Sequence, residues 1–221
     1  MKINARLNRV PRAWVLGGVA SLLLAVSAFG QYTKSSGAIT VPEMGNADPY
    51  PSVIQVSNVL GTIKKVAVTL DKVNHGYAND LSVLLVGPDG TKIVLMSDAG
   101  GGKGITGDIT FDPEATTLIP QQNPIQPGAT YLPKDYAGAT FEGVAGPYNG
   151  AFTDMVDKDP NGDWKLYVLD SAPLNSGSFQ SWTIKLWTTP VIASVSTNNI
   201  HIAQHSTDSF TVTVKSSSRN A

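Results

Sequence analysis

The 221-residue chain contains no cysteine. That excludes disulfide stapling, so stability must come from an apolar core, with bound metal as the remaining support. Histidine is nearly as scarce: His75, His201 and His205 are the only imidazoles, which leaves few groups for acid–base chemistry near neutral pH. Glutamate is limited to Glu43, Glu114 and Glu142, none beside a cleft motif suited to a glycosidase carboxylate pair. Beyond residue 30 the only arginine is Arg219. Four of the sixteen basic residues lie in the first thirty positions, leaving twelve against seventeen acids and a net charge of −5. A mildly acidic chain with no basic patch excludes nucleic acid as a partner, because phosphate backbones require clustered cations. No serine nucleophile turn and no G-x-S-x-G elbow is present. Gly100–Gly102 is followed by no helical pattern and no G-x-x-x-x-G-K-S/T, so it is not a phosphate cradle. Catalysis by this chain alone is not expected.

What is present is a period of two. Val66, Val68 and Leu70 alternate with Ala67 and Thr69, and Leu81, Val83 and Leu85 alternate with Ser82 and Leu84. Trp164, Leu166 and Val168 share a face, as do Trp182, Ile184 and Leu186. Such spacing buries one face of each strand. Gly87-Pro88-Asp89-Gly90 reads as a tight turn, with Pro88 fixing φ and Gly90 taking a conformation closed to other residues. The pattern predicts two β-hairpins, one within residues 66–102 and one within residues 161–187. Many short strands with turn signals between them, and no sustained helical periodicity, predict an all-β sandwich.

Lys2, Arg6, Arg9 and Arg12 precede an apolar run from Ala13 to Val26, and Ala28-Phe29-Gly30 offers small residues for cleavage. The run is shorter than the roughly 20 residues that span a bilayer, so residues 1–30 read as a Sec-type signal peptide, with a retained anchor as the alternative. The protein is thus expected to be secreted or held at the cell surface, with no membrane contact beyond that segment. Residues 31–52 read as a linker and a first edge strand. Residues 112–150, rich in proline and glycine, form a long irregular loop. Its aromatics Tyr131, Tyr136, Phe141 and Tyr148 are expected to cover the end of the sandwich, a glycan platform being the alternative. After Pro190 the alternation restarts, and residues 191–221 read as the start of a truncated second β module.

Three ordered motifs carry a family resemblance. His75 to Thr91 reads H-x-Y-x-x-D-L-x-V-x-L-x-G-P-x-G-T, Asn161 to Asp170 reads N-G-x-W-x-L-x-V-x-D, and Gly177 to Ile184 reads G-S-F-x-S-W-T-I. Over residues 36–188 the chain resembles the P domain, the proprotein convertase or homo-B domain found beside subtilisin-like proteases, in its bacterial secreted type. The resemblance implies a jelly-roll β-sandwich of galactose-binding-like type that is non-catalytic, often calcium-binding, and appended to another domain. The expected job is to stabilise or dock a neighbouring protease or surface domain. Two alternatives stand beside it. One is membership of a subtilisin-like serine endopeptidase, with proteolysis by domain association. The other is a carbohydrate-binding or cell-surface adhesion module.

Calcium is the expected cofactor, because it takes 6–8 oxygen ligands and mixes Asp carboxylates with loop carbonyls. Asp80 opens one core strand and Asp170 closes another, and both match positions where the P-domain family carries Asp. Asp98 adjoins the glycine-rich loop, and Asp108 and Asp112 flank the Phe111 strand. The competing role for Asp80 and Asp170 is turn capping. Asp157 to Asp163 resembles an EF-hand loop, but Val168 stands where the bidentate Glu belongs, so that reading fails. His201 and His205 lack a third ligand and make no zinc site. His75 reads as a hydrogen-bonded turn histidine.

Overall fold

In this computed structural model the described residues are 30–189, together with two short strands, Lys2–Asn4 (β1) and Thr211–Thr213 (β15). Those two pair antiparallel with each other. The rest of the expected signal peptide and of the 191–221 module lies outside the described residues.

Short runs of β-branched and aromatic residues, broken by Gly and Pro, give strands rather than helices. They run in order as Gly30–Ser35 (β2), Ile39–Val41 (β3), Gly45–Asn46 (β4), Ser52–Val56 (β5) and Ile63–His75 (β6). Leu81–Val86 (β7), Lys92–Ser97 (β8), Ile105–Phe111 (β9), Thr130–Tyr131 (β10) and Lys134–Asp135 (β11) follow. Gly162–Asp170 (β12), Gly177–Phe179 (β13) and Ser181–Thr188 (β14) complete the domain. The only helical turns among the described residues are 3-10 turns at Ala78–Asp80 and Phe152–Met155.

Two mixed sheets stack into the expected β-sandwich. In the seven-stranded sheet β9 and then β10 lie on one side of the long β6, while β14 and β13 share its other side, followed by β2 and β3. In the six-stranded sheet the order is β11-β8-β7-β12, with β4 and β5 both pairing the far side of β12. The core lies between the sheets. Trp164, Leu166 and Val168 face it from β12, and Trp182, Ile184 and Leu186 face it from β14. Both indoles are fully buried. Each finds an acceptor: Trp164 Nε1–H donates to the Pro160 carbonyl at 2.9 Å and Trp182 Nε1–H to Ser52 Oγ at 3.0 Å.

The two hairpins predicted from the sequence need correction. Strands β7 and β8 do pair antiparallel around the Pro-Asp-Gly turn, where Gly90 has φ +85°. However, β6 belongs to the opposite sheet from β7, and β12 belongs to the opposite sheet from β14. The second "hairpin" is therefore an arch from one sheet to the other. Alternation says that one face of each strand is buried, and two strands meeting across a core satisfy this as well as two lying side by side. Residues 31–35, expected as linker, form the edge strand β2 paired along β14. Their side chains are almost all in solvent, so backbone pairing holds them and no apolar pattern marks them.

The 112–150 aromatics are packed inward: Tyr131 and Tyr136 join the main core, while Phe141 and Tyr148 lie over a sheet face. Phe141 is buried with Leu84 and Val94 on the outer side of the six-stranded sheet, beside Tyr148 and Tyr167. Phe141 and Tyr148 meet edge to face at 5.5 Å. Buried Ser97 ties this loop down, because its Oγ binds the Asp135 carboxylate and accepts the Tyr136 and Ala137 N–H groups.

Removing one indole tests whether the interior carries the fold. Trp164→Ala vacates a fully buried site and orphans the Pro160 carbonyl, so urea unfolding is expected to show a loss of about 3–5 kcal/mol. Loss of less than about 1 kcal/mol would mean that the core is not organised around this ring.

Candidate functional site

Strand β6 reaches the candidate site through a bulge. Leu70 pairs with Ile109 and Val73 with Gly107, so two residues, Asp71 and Lys72, oppose the single Asp108. Lys72 has φ +46°, and its N–H donates to Asp108 Oδ1 at 2.8 Å. The extra residue shifts the in–out alternation of the strand. Val66, Val68 and Leu70 point inward before it, and Val73 and His75 point inward after it.

His75 consequently enters the core. Its ring and the Asp170 carboxyl group are both fully buried, with Nε2 2.8 Å from Asp170 Oδ2. Nδ1 lies 2.8 Å from the Tyr77 carbonyl. The Tyr77 N–H also approaches Nδ1, at 3.3 Å, so both ring nitrogens are engaged. The pair joins β6 of one sheet to β12 of the other. Asp170 Oδ1 also accepts the Ala172 N–H at 3.0 Å, so the turn-capping role weighed for this residue is present.

Asp80 ends the 3-10 turn beside this pair. Its carbonyl accepts both the N–H and the hydroxyl of Ser171, at 2.9 and 3.0 Å. Burial pushes its carboxyl pKa up from the ordinary 3.8, the negative Asp170 adds to the rise, and His75 opposes it. On the same turn Asn79 Oδ1 is buried without a hydrogen-bond partner. Nearby, the Gly100 and Gly101 N–H groups, both donating at 2.7 Å, lace the glycine-rich loop to Pro120 and Gln121.

The five Asp residues among which a calcium site was expected thus fall in four places. Asp80 and Asp170 meet at one end of the sandwich. Asp98 accepts from Gln121 Nε2 at 2.9 Å. Asp108 holds the β6 bulge, and Asp112 pairs with Lys65 at 3.0 Å while capping the Glu114 N–H. Among the described residues no group of three or more His, Asp or Glu side chains is arranged to hold a metal ion. Asn79 Oδ1, buried and unpartnered next to Asp80, is an oxygen of the kind a hard cation accepts as a ligand.

Two residues with defined work carried no sequence motif. Asp71, in the bulge, accepts the Ser181 and Thr183 hydroxyls at 2.8 and 2.6 Å. Asn79 shows itself only through the burial of its side-chain oxygen.

Residues 128–186 match the family described as the proprotein convertase P-domain. The P-domain resemblance is thereby shown over those residues, about a quarter of the chain. The match contains β10 to β13, most of β14 and two of the three motifs, while the His75–Thr91 motif lies outside it. Two crystal structures of the Aeromonas sobria serine protease, one in complex with its chaperone, are similar at 13% identity, with TM-scores of 0.35 and 0.34. They cover 72% and 71% of this chain but 28% and 27% of the matched chains. The chain therefore spans little more than a quarter of their length. No curated protein matches it.

Breaking the buried pair is expected to separate two effects. His75→Ala leaves the Asp170 charge buried without its partner and should cost about 3–5 kcal/mol in urea unfolding. Replacing both residues by leucine should recover most of that loss; an equal loss in the double variant would show that the pair is not coupled. Asp80 behaves oppositely. Its folded carboxyl binds a proton more tightly than an unfolded Asp does, so its ionised form weakens the fold above its raised pKa, and this cost vanishes below the ordinary value. In metal-free buffer Asp80→Asn should therefore raise the melting temperature at neutral pH and leave it unchanged near pH 3.

Proposed function

We propose that this sandwich is a secreted, non-catalytic accessory module that stabilises or docks a neighbouring protease domain. The observation that carries the reading is the P-domain match over residues 128–186, the stretch that contributes central strands to both sheets. Local geometry supports it. His75, the imidazole of the resembling motif, is sealed between the sheets with both nitrogens engaged, where no substrate reaches it. Gly30 and Thr188 are cross-strand partners, so the sandwich is entered and left at one corner, an arrangement that suits a module hung beside another. Export is supported by the basic and apolar pattern of residues 1–30.

Calcium belongs to the same proposal, at the turn carrying Asn79 and Asp80. Hard oxygen donors there would exchange a desolvated carboxylate and an orphaned amide oxygen for direct coordination. An ion at hundredfold excess over its dissociation constant adds about 2.7 kcal/mol, several degrees of melting temperature in a domain of this size.

Two measurements test the proposal. The chain incubated with casein and fluorogenic peptides should show no turnover, and serine-inhibitor-sensitive activity that survives repurification would refute an accessory role. Melting in excess EGTA and then in millimolar calcium should show an upward shift that Asp80→Asn abolishes. An unshifted parent chain would refute the metal site, and a shift retained by Asp80→Asn would refute this turn as its place.

A further inference from the structure

The outer faces of the two sheets differ. The six-stranded sheet covers its own outer side with Phe141, Val144 and Tyr148 from the long loop. Over the seven-stranded sheet no such layer lies among the described residues. Cross-strand register places Ser35, Thr183, Thr69, Thr110 and Thr130 in one line across five neighbouring strands. Adjacent hydroxyls in that line are bonded, Ser35 to Thr183 at 2.7 Å and Thr69 to Thr110 at 2.9 Å. Small Ala67 makes a low point beside them, giving a trough of about 260 Å³ bounded by Asp71, Thr110, Thr183, Lys185 and Trp187.

We propose that this trough binds a neutral linear polysaccharide laid along β6 and β14. From Asp71 to Lys65, the cross-strand partner of Trp187, is six residues of strand, about 20 Å, the length of a short oligosaccharide. The chemistry selects the occupant. Asp71 and Asp112 on the trough are set against Lys185 and the adjoining Lys65, which pairs with Asp112 at 3.0 Å and also with exposed Glu114, so no strong charge of one sign is presented and a polyanion or polycation is disfavoured. Hydroxyl rows that both donate and accept match sugar hydroxyls, and Asp71 adds a charged acceptor already oriented by Ser181 and Thr183. Trp187 offers an aromatic edge or face to the apolar side of a sugar ring. Its indole is held by Lys65, whose ammonium lies 4.5 Å from the ring centroid, so little ordering remains to be done on binding. A hydrophobic protein partner would find only Trp187 and Ala67 as apolar lining. This inference stands independently of the protease-associated reading.

The 221-residue chain is incubated with insoluble cellulose, chitin and mannan, and soluble oligosaccharides of whichever retains it are titrated by calorimetry. Saturable retention is expected on at least one polymer. Trp187→Ala should weaken it roughly tenfold, and Thr110→Arg, which fills the trough, should abolish it. Both variants are checked for an unchanged melting transition, and Trp187→Ala decides alone if Thr110→Arg fails to fold. Retention by none of the polymers, or undiminished retention by a folded Trp187→Ala, overturns the proposal. So does sedimentation showing that the face is covered by a second copy of the chain.

Discussion

Burial between two facing sheets is the constraint on which the rest of this domain depends. With no disulfide, the fold is held by apolar area withdrawn from water, and the two buried tryptophans contribute the largest pieces of it. Polar groups can enter such a layer only if fully bonded. Two polar contacts do so in a way that ties the sheets together. The Trp182 N–H reaches Ser52 on the opposite sheet, and His75 reaches Asp170 across the same gap. These directional contacts fix how one sheet sits on the other, which apolar packing alone leaves loosely specified.

The bulge at Asp71 and Lys72 connects this packing to the candidate site. Without the extra residue, the alternation of β6 would send His75 to the solvent side and Asn74 into the core. Asp108 holds the bulge by accepting the Lys72 N–H. A carboxylate that resembles a metal ligand in the sequence therefore serves backbone geometry. The consequence propagates to the end of the sandwich, where Asp170 finds a buried partner while partial burial and the nearby Asp170 raise the carboxyl pKa of Asp80. Local strand geometry thus decides which of two neighbouring Asp residues meets a buried partner and which has its carboxyl pKa raised.

The division of the outer faces has a similar origin. The long 112–150 loop contributes Phe141 and Tyr148 to cover one sheet, and Ser97 with Asp135 anchors it there. The other sheet carries Thr, Ser, Lys and Asp outward, residues that tolerate water and need no cover. One outer face is completed by the chain itself, and the other presents a polar relief with a single indole.

Composition and alternation determined the all-β class, the buried positions on β6, β7, β12 and β14, and the turn at Gly90, because period-two burial is a local property of the strand. The P-domain motifs were legible for the same reason, being mostly core positions and turns. Which strands lie side by side was not legible, since inner faces meeting across a core and adjacent strands in one sheet give the same alternation. Edge strand β2 escaped notice because its bonds are main-chain and its side chains exposed. The grouping of the Asp residues was decided only in three dimensions. Spacing along a chain cannot reveal that a bulge turns His75 inward, that Asp170 meets it from the opposite sheet, or that Asp108 and Asp112 are spent on the backbone and on Lys65.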